Sequence, residues 1–312
     1  MPARTKAFLA LTAVSAIWGI ASVVIKYTVQ FIPPFSFLTI RFVIASIILH
    51  FFVKKIHKSV GLWRTGKLKD LNKEDIKLFL VGVIGSSINL VLVFYAFKYT
   101  SSIEGTFIFA AAPIFTILGG FYFLKEKVTK KEFIGISITL VGFSLIVFKP
   151  LLEQSINFSQ DLLGNLIMIG AVFSWVAYVL VSKNIFNNKR SNHSPTFITF
   201  VTFFSGAITL FPFGIYEILT TQIDFIKAIP GILYMTILST VVAYTLFEYG
   251  VQKIEAGEAE LFHYLQPVFT IPVAMIFLGE AFSMLYLIGG LIILIGLYIA
   301  ERRIRIIRKK IR

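Results

Sequence analysis

Apolar runs long enough to cross a lipid bilayer recur ten times along this chain, and little sequence is left between them for a separate folded domain. A hydrocarbon core about 30 Å thick takes roughly 20 residues of helix. The runs fall at about 8–30, 34–53, 76–98, 103–124, 132–149, 162–183, 196–216, 229–252, 258–278 and 284–301. They are continuous and lack the in–out alternation of a barrel strand. A single strand or open sheet in lipid would leave its backbone groups without partners, so each run is read as a helix. With 57% hydrophobic and 15% charged residues, the chain lies well away from soluble proteins, which hold about 25% charged residues. The first run is too long for a signal-peptide core and is followed by more apolar sequence rather than a small-residue cleavage site, so it reads as a retained helix.

The formal charge of +14 would suit a nucleic-acid binder, but its distribution suits a membrane protein. Twenty-five of the 30 Lys and Arg fall at one set of helix ends, three at the other, and Lys26 and Arg41 lie inside spans. Positive charge stays on the cytoplasmic side of a membrane, so both termini are expected in the cytoplasm, with an even number of spans in a cell membrane. The basic tail 302–312 is expected to meet anionic headgroups. The expected partners are therefore the lipid bilayer and a small-molecule substrate, with no nucleic acid. There is no cysteine, and His50, His57, His193 and His263 do not pair at metal-ligand spacing, so neither a metal nor another cofactor is expected. Without a phosphate-cradling Gly-rich loop or a GxSxG motif, neither ATP-driven pumping nor enzymatic chemistry is expected. The richness in Phe, Ile and Lys suggests a prokaryotic source.

The chain also matches itself. Trp18 and Lys26 map onto Trp175 and Lys183 at an offset of 157. An offset of 154 then aligns Tyr95 with Tyr249, Pro113 with Pro267, Gly135 with Gly289 and Gly142 with Gly296. Each copy holds five helices, and an odd number makes the second copy enter the membrane from the opposite side. Such inverted repeats are common in secondary transporters. The expected fold is therefore an all-α membrane protein of ten transmembrane helices in two inverted five-helix repeats, 8–149 and 162–301.

Ile17-Trp18-Gly19 with Lys26, the stretch from Ile40-Arg41-Phe42 to Ala45, Tyr95 to Ser101, Pro113, Lys125-Glu126, Gly135 and Gly142 form an ordered set in the first copy. Trp175, Tyr244, Pro267, Leu278-Gly279-Glu280, Gly289 and Gly296 follow in the second. In this pattern the chain resembles the EamA domain of the drug/metabolite transporter superfamily over nearly its whole length. The resemblance implies an export-type carrier with its cavity between the halves, lined by helices 1, 3, 4, 6, 8 and 9. Members move amino acids, drugs, nucleotide sugars or other metabolites.

Polar groups inside the spans are the candidate site, because a charge at the bilayer centre costs about 2.5–3.5 kcal/mol on insertion scales. Tyr244, Glu248 and Gln252 form a stripe at steps of four in helix 8. Glu248 is read as binding a cationic group or taking up a coupling proton; the structural reading pairs it with Lys253. In helix 9, Glu260, His263, Tyr264 and Pro267 share a face, Gln266 adjoins it, and Pro267 is expected to free a carbonyl near residue 263. His263 is a second candidate proton carrier; packing is its structural reading. The repeat equivalents of Glu260, His263 and Tyr264 are Thr106, Phe109 and Ala110, so Phe107 and Phe109 are expected to form an apolar wall. Trp18 and Ser22 in helix 1 and Trp175 and Tyr178 in helix 6 are further binding candidates. Lys26 is expected to snorkel and Lys183 to sit at the interface. Arg41 either binds substrate or pairs with helix-end carbonyls. Glu104 and Glu258 are expected at helix starts, and Glu126 and Glu280 to cap helices 5 and 10. Gly85, Gly119, Gly120, Gly289 and Gly290 should permit close helix contact. Helices 5 and 10, with few polar residues, are left to face lipid or the second subunit of a homodimer.

The expected function is secondary-active, alternating-access transport, exporting amino acids or similar small polar metabolites with proton coupling. A passive channel on the same fold and a membrane enzyme or scaffold are the competing expectations.

Overall fold

The computed structural model describes residues 3–56, 73–123, 130–153, 158–187 and 193–311, and among them every regular element is helical. The rods are α1 (Ala3–Thr28), α2 (Pro34–Ile56), α3 (Lys73–Tyr99), α4 (Ser102–Phe123), α5 (Lys130–Val147), α6 (Phe158–Asn187), α7 (Pro195–Thr220), α8 (Phe225–Lys253), α9 (Ala256–Leu278) and α10 (Met284–Ile311). Eight of these are long and apolar enough to cross a membrane, while α5 and α10 carry shorter apolar stretches, Phe133–Val147 and Met284–Gly296. The basic tail continues α10 as helix to Ile311. Phe123, Ile226, Ile276 and Phe277 are each at least three-quarters exposed. An outer surface this apolar requires lipid around it.

Polar contacts place the helix ends. Arg4 pairs with Glu258, so α1 and α9 begin at the same end, called here the terminal end. Lys26 near the end of α1 donates to the Thr100 carbonyl at the α3–α4 junction (2.7 Å), and the Thr100 hydroxyl donates to Asn165 in the first turns of α6 (2.7 Å). That group marks the far end. Lys183 in α6 donates to the carbonyls of Val251 (2.9 Å) and Ile254 (2.7 Å) at the α8–α9 junction. The two repeat-matched lysines thus do the same work, each satisfying carbonyls left open where a helix stops. Lys26 is a cap rather than a snorkelling side chain.

Packing follows the repeat. α5 lies along α10 and α2 along α7, each helix against its own counterpart. The α3–α6 contact is matched by α8–α1, and α4–α6 by α9–α1. Small residues set the closeness. A Cβ on Gly142 would fall 2.6 Å from the Gly289 carbonyl oxygen, and one on Gly296 would fall 2.6 Å from that of Gly135. These repeat-related glycines press the backbones of α5 and α10 together, as small residues do between membrane helices. One face of each helix is therefore covered by the other, and the outer faces, with Phe133, Leu291 and Tyr298, stay exposed.

The carboxylates cap across the molecule. Both oxygens of Glu280 accept first-turn N–H groups of α4, from Ser102 (2.7 Å) and Ile103 (3.0 Å), and not those of α10 as expected. The loop before α10 lies against the start of α4, so a cap that looks local in sequence joins the two halves. Glu104 opens α4 over the Ser101 N-cap and is buried. It accepts from Asn165 Nδ2 (2.6 Å) and the Tyr286 hydroxyl (3.1 Å). Beside it, partial burial pushes the Glu153 carboxyl up, but the Ser283 hydroxyl and the Lys149 ammonium outweigh this and hold it below the usual range. Glu126 lies outside the described residues.

Three stretches depart from α-geometry. Ile84–Ile88 in α3 and Tyr234–Tyr244 in α8 are π-helical, and the 154-residue offset superposes the first on the second. Leu261–Leu265 in α9 is a 3-10 turn. The His263 carbonyl there accepts the Gln266 N–H, so Pro267 does not leave it open; the Phe262 carbonyl takes the Ser15 hydroxyl (2.6 Å).

Replacing Gly142 by Ala should lower stability by about 1–3 kcal/mol despite alanine's better helix propensity, since two backbones must separate. Gly170→Ala, whose Cβ would meet its nearest neighbour at 3.6 Å, should be neutral or slightly stabilising. Thermal melts of the two purified variants in one detergent compare them directly.

Candidate functional site

At the junction of the halves lies a cavity that offers about 80 Å³ to the centres of water-sized molecules. Its walls come from α1, α3, α4, α6, α8 and α9, with Arg41 added from α2. Seven candidates from the sequence line it: Trp18, Ser22, Arg41, Phe109, Trp175, Tyr244 and Gln266. Tyr178, Glu248, His263 and Tyr264 are not in its wall; they lie beyond it toward the terminal end.

A layer of rings separates the two sets. Trp18 and Trp175, matched by the repeat, meet edge to face with centroids 5.4 Å apart. Tyr244 and Phe247 contact both indoles, at 5.1–5.8 Å. His263 lies 5.6 Å from Trp18 and 5.8 Å from Trp175. Edge-to-face geometry sets the positive ring edge against the negative face, so these contacts add to simple burial. Trp18 Nε1 donates to the Ser239 carbonyl in the π-helical part of α8 (3.2 Å).

Two acids stand behind the rings. Trp175 Nε1 donates to both oxygens of Glu260 (3.0 and 3.2 Å), and His263 Nδ1 lies 3.7 Å from Glu260 Oε2 and 3.1 Å from the Glu260 carbonyl. The Tyr178 hydroxyl donates to Glu248 Oε1 (2.6 Å) and also meets Thr202 (3.2 Å). Glu248 does not pair with Lys253, which lies over the Tyr249 ring. Glu248 Oε2, His263 Nε2 and the Tyr264 hydroxyl have no hydrogen-bond partner among the described residues, and the Ser182 hydroxyl lies near Glu248. Glu260 belongs to this group more closely than its place in the helix 9 pattern suggested.

Arg41 is fully buried, and its contacts are hydroxyls rather than the helix-end carbonyls considered from sequence. Its Nε donates to Thr240 Oγ1 and its Nη2 approaches Ser239 Oγ at 3.4 Å. Sequence reading missed three polar wall residues, Asn89, Ser239 and Thr106. Asn89 was visible as an amide inside an apolar span; it donates to the Ala171 carbonyl (2.7 Å). Ser239 carried no signal, because the π-helical turn that aims it cannot be read from spacing. Phe107 turns away from the cavity to stack on Tyr286 (5.9 Å), leaving Phe109 as the wall. Among the described residues there is no cluster of groups able to hold a metal ion.

A lipid-embedded helical bundle with a cavity where its halves meet has the form of a membrane transporter. The comparisons agree: the chain matches the EamA-like transporter family twice, over residues 5–148 and 162–301, and it belongs to that family. A relative from Archaeoglobus fulgidus described as an uncharacterized transporter is 28% identical over 304 residues, covering 97% of this chain and 99% of the relative. A probable amino-acid metabolite efflux pump of Salmonella typhimurium is 26% identical over 308 residues, covering 95% and 94%. A solved crystal structure shares the fold with a TM-score of 0.65 at 16% identity, over 96% of this chain and 98% of the other. The protein is thus a membrane transporter rather than an enzyme.

The Trp175–Glu260 bond should appear as thermodynamic coupling. Trp175→Phe should cost about 1–3 kcal/mol by stranding a buried carboxylate, and most of that loss should vanish in the Glu260→Leu background. Melts of the four proteins in detergent give the coupling, and strictly additive losses would show that the bond contributes nothing.

Proposed function

We propose that the chain is an alternating-access carrier that exports amino acids or similar small polar metabolites in exchange for protons. In this reading it crosses the membrane ten times as two inverted five-helix repeats, with both termini cytoplasmic. The pairing of contacts supports inversion: α1 and α6 begin at opposite ends, and Lys26 and Lys183 cap their neighbours at opposite ends. The observation that carries the proposal is the meeting of Trp18 and Trp175 at the cavity's terminal-end boundary. Equivalent residues of two repeats form one barrier there, and exchanging the shapes of the halves would move it to the other side of the solute.

Protons enter the reading through the acids behind the rings. Glu248 and Glu260 are fully buried on the side read as cytoplasmic, shielded from the cavity by Trp175, Tyr178 and Phe247. Ionisable groups inside a membrane commonly mark substrate or proton pathways. Glu248 and His263 are assigned to coupling, with Glu260 beside them. The substrate class rests on the cavity's mixed aromatic and polar wall, and on the relative from Salmonella named as a probable amino-acid metabolite efflux pump.

Spent media from cells expressing the wild type and Glu248→Gln at matched membrane levels test this by untargeted metabolite profiling. A metabolite should accumulate with the wild type and fall by roughly an order of magnitude or more with the variant, as loss of a required protonation site implies. A protonophore should reduce the wild-type signal in the same way. Equal accumulation in both strains would leave Glu248 a structural residue, and accumulation in neither would remove the export reading.

A further inference from the structure

Among the described residues, Arg41 has no anionic partner. We infer that it receives a carboxylate of the transported solute, so that the cavity takes monocarboxylates, zwitterionic amino acids included, and rejects the corresponding amines. The inference rests on the transporter reading and narrows its substrate class.

Among the described residues, Arg41 is the only charged one in the cavity wall. Its side chain is fully buried, and its Nη1 has no hydrogen-bond partner among the described residues. The surrounding protein holds the guanidinium without neutralising it. The Thr240 hydroxyl donates to the Met235 carbonyl five residues back (2.7 Å), a bond that the π-helical geometry of α8 allows. Its oxygen is then left to accept from Arg41 Nε. Phe42, Phe94 and Phe203 stand around the guanidinium carbon at 5.8–6.0 Å. One edge of the fork is thereby fixed while Nη1, and Nη2 with its long 3.4 Å contact to Ser239, remain available.

A planar fork with open donors in a cavity walled mostly by apolar side chains matches a carboxylate, which can accept two parallel bonds. A solute carrying only an ammonium would bring like charge beside Arg41 in a low-dielectric site. A doubly charged anion would need a second cation, which the wall does not supply. The acids that could hold an ammonium, Glu248 and Glu260, lie behind the ring layer rather than in the wall.

The test uses the full-length protein in lipid nanodiscs. Thermal stabilisation and binding are measured for the proteinogenic amino acids and, in matched pairs, for their decarboxylated amines. One or more amino acids should bind while the paired amines do not. Arg41→Gln and Arg41→Lys should weaken that binding roughly 10- to 100-fold, as loss of a charge-assisted bond implies, and Thr240→Val should weaken it by less. Amines that bind as tightly as their amino acids would overturn the inference, as would undiminished binding in a folded Arg41→Gln protein. The matched pairs decide on the wild type alone if the variants do not fold. Binding of neither class also counts against it. Wild-type-dependent export of a solute lacking a carboxylate would overturn it too while leaving the transporter reading intact; absence of any export would fall on that reading instead.

Discussion

A polar group inside a bilayer has no water to fall back on, so every donor and acceptor in this bundle must find its partner in the protein. Most of the arrangement described above answers to that rule. Hydroxyls such as Ser86, Thr106 and Thr139 turn back onto carbonyls four residues earlier in their own helices. Lysines cover carbonyls where α3 and α8 stop, Glu280 covers the open N–H groups of α4, and Asn165 ties Glu104 to Thr100. Exceptions occur along the bundle, in hydroxyls such as those of Ser46, Thr116 and Ser205 as well as in Arg41 Nη1, Glu248 Oε2, His263 Nε2 and the Tyr264 hydroxyl at or behind the cavity. Incomplete satisfaction is costly in a low dielectric, and more so for ionisable groups such as Arg41 and Glu248 than for single hydroxyls.

The frame is symmetric and the site is not. The glycine contacts between α5 and α10, the two capping lysines, the facing tryptophans and the two π-helical stretches all come in related pairs. Symmetry fails where the acids sit. Glu260, His263 and Tyr264 answer to Thr106, Phe109 and Ala110, and Glu248 answers to Phe94. In the alternating-access reading proposed above, equivalent packing in both halves would give two shapes of similar energy, and acids on one side only would give those shapes different affinities for a proton. A ligand biases such an equilibrium only through that difference.

Much of this was legible in the residues. Helix positions agree with the apolar runs to within a few residues over most ends, because lipid forces long uninterrupted hydrophobic stretches that few other environments require. The repeat was legible too, since its glycines, tryptophans and lysines are held by close contacts that tolerate little else. Face-by-face assignment did less well. Spacing arguments assume about 3.6 residues per turn, whereas Tyr234–Tyr244 winds more loosely and Leu261–Leu265 more tightly. Ser239 was therefore missed, and His263 and Tyr264, site candidates by spacing, lie outside the cavity wall.

The order of residues by itself determined that this chain lives in a membrane and where its helices run, because both follow from local burial in hydrocarbon, and that its halves repeat, because matched glycines, tryptophans and lysines recur at a near-constant offset. Only the tertiary structure decided that Glu280 serves α4, that Tyr178 rather than Lys253 meets Glu248, and that Arg41 faces the cavity with no anionic partner among the described residues. Those outcomes depend on which helices cross and at what depth. A contact between residues 85 or 178 positions apart is set by packing of whole helices, which no short stretch of sequence contains.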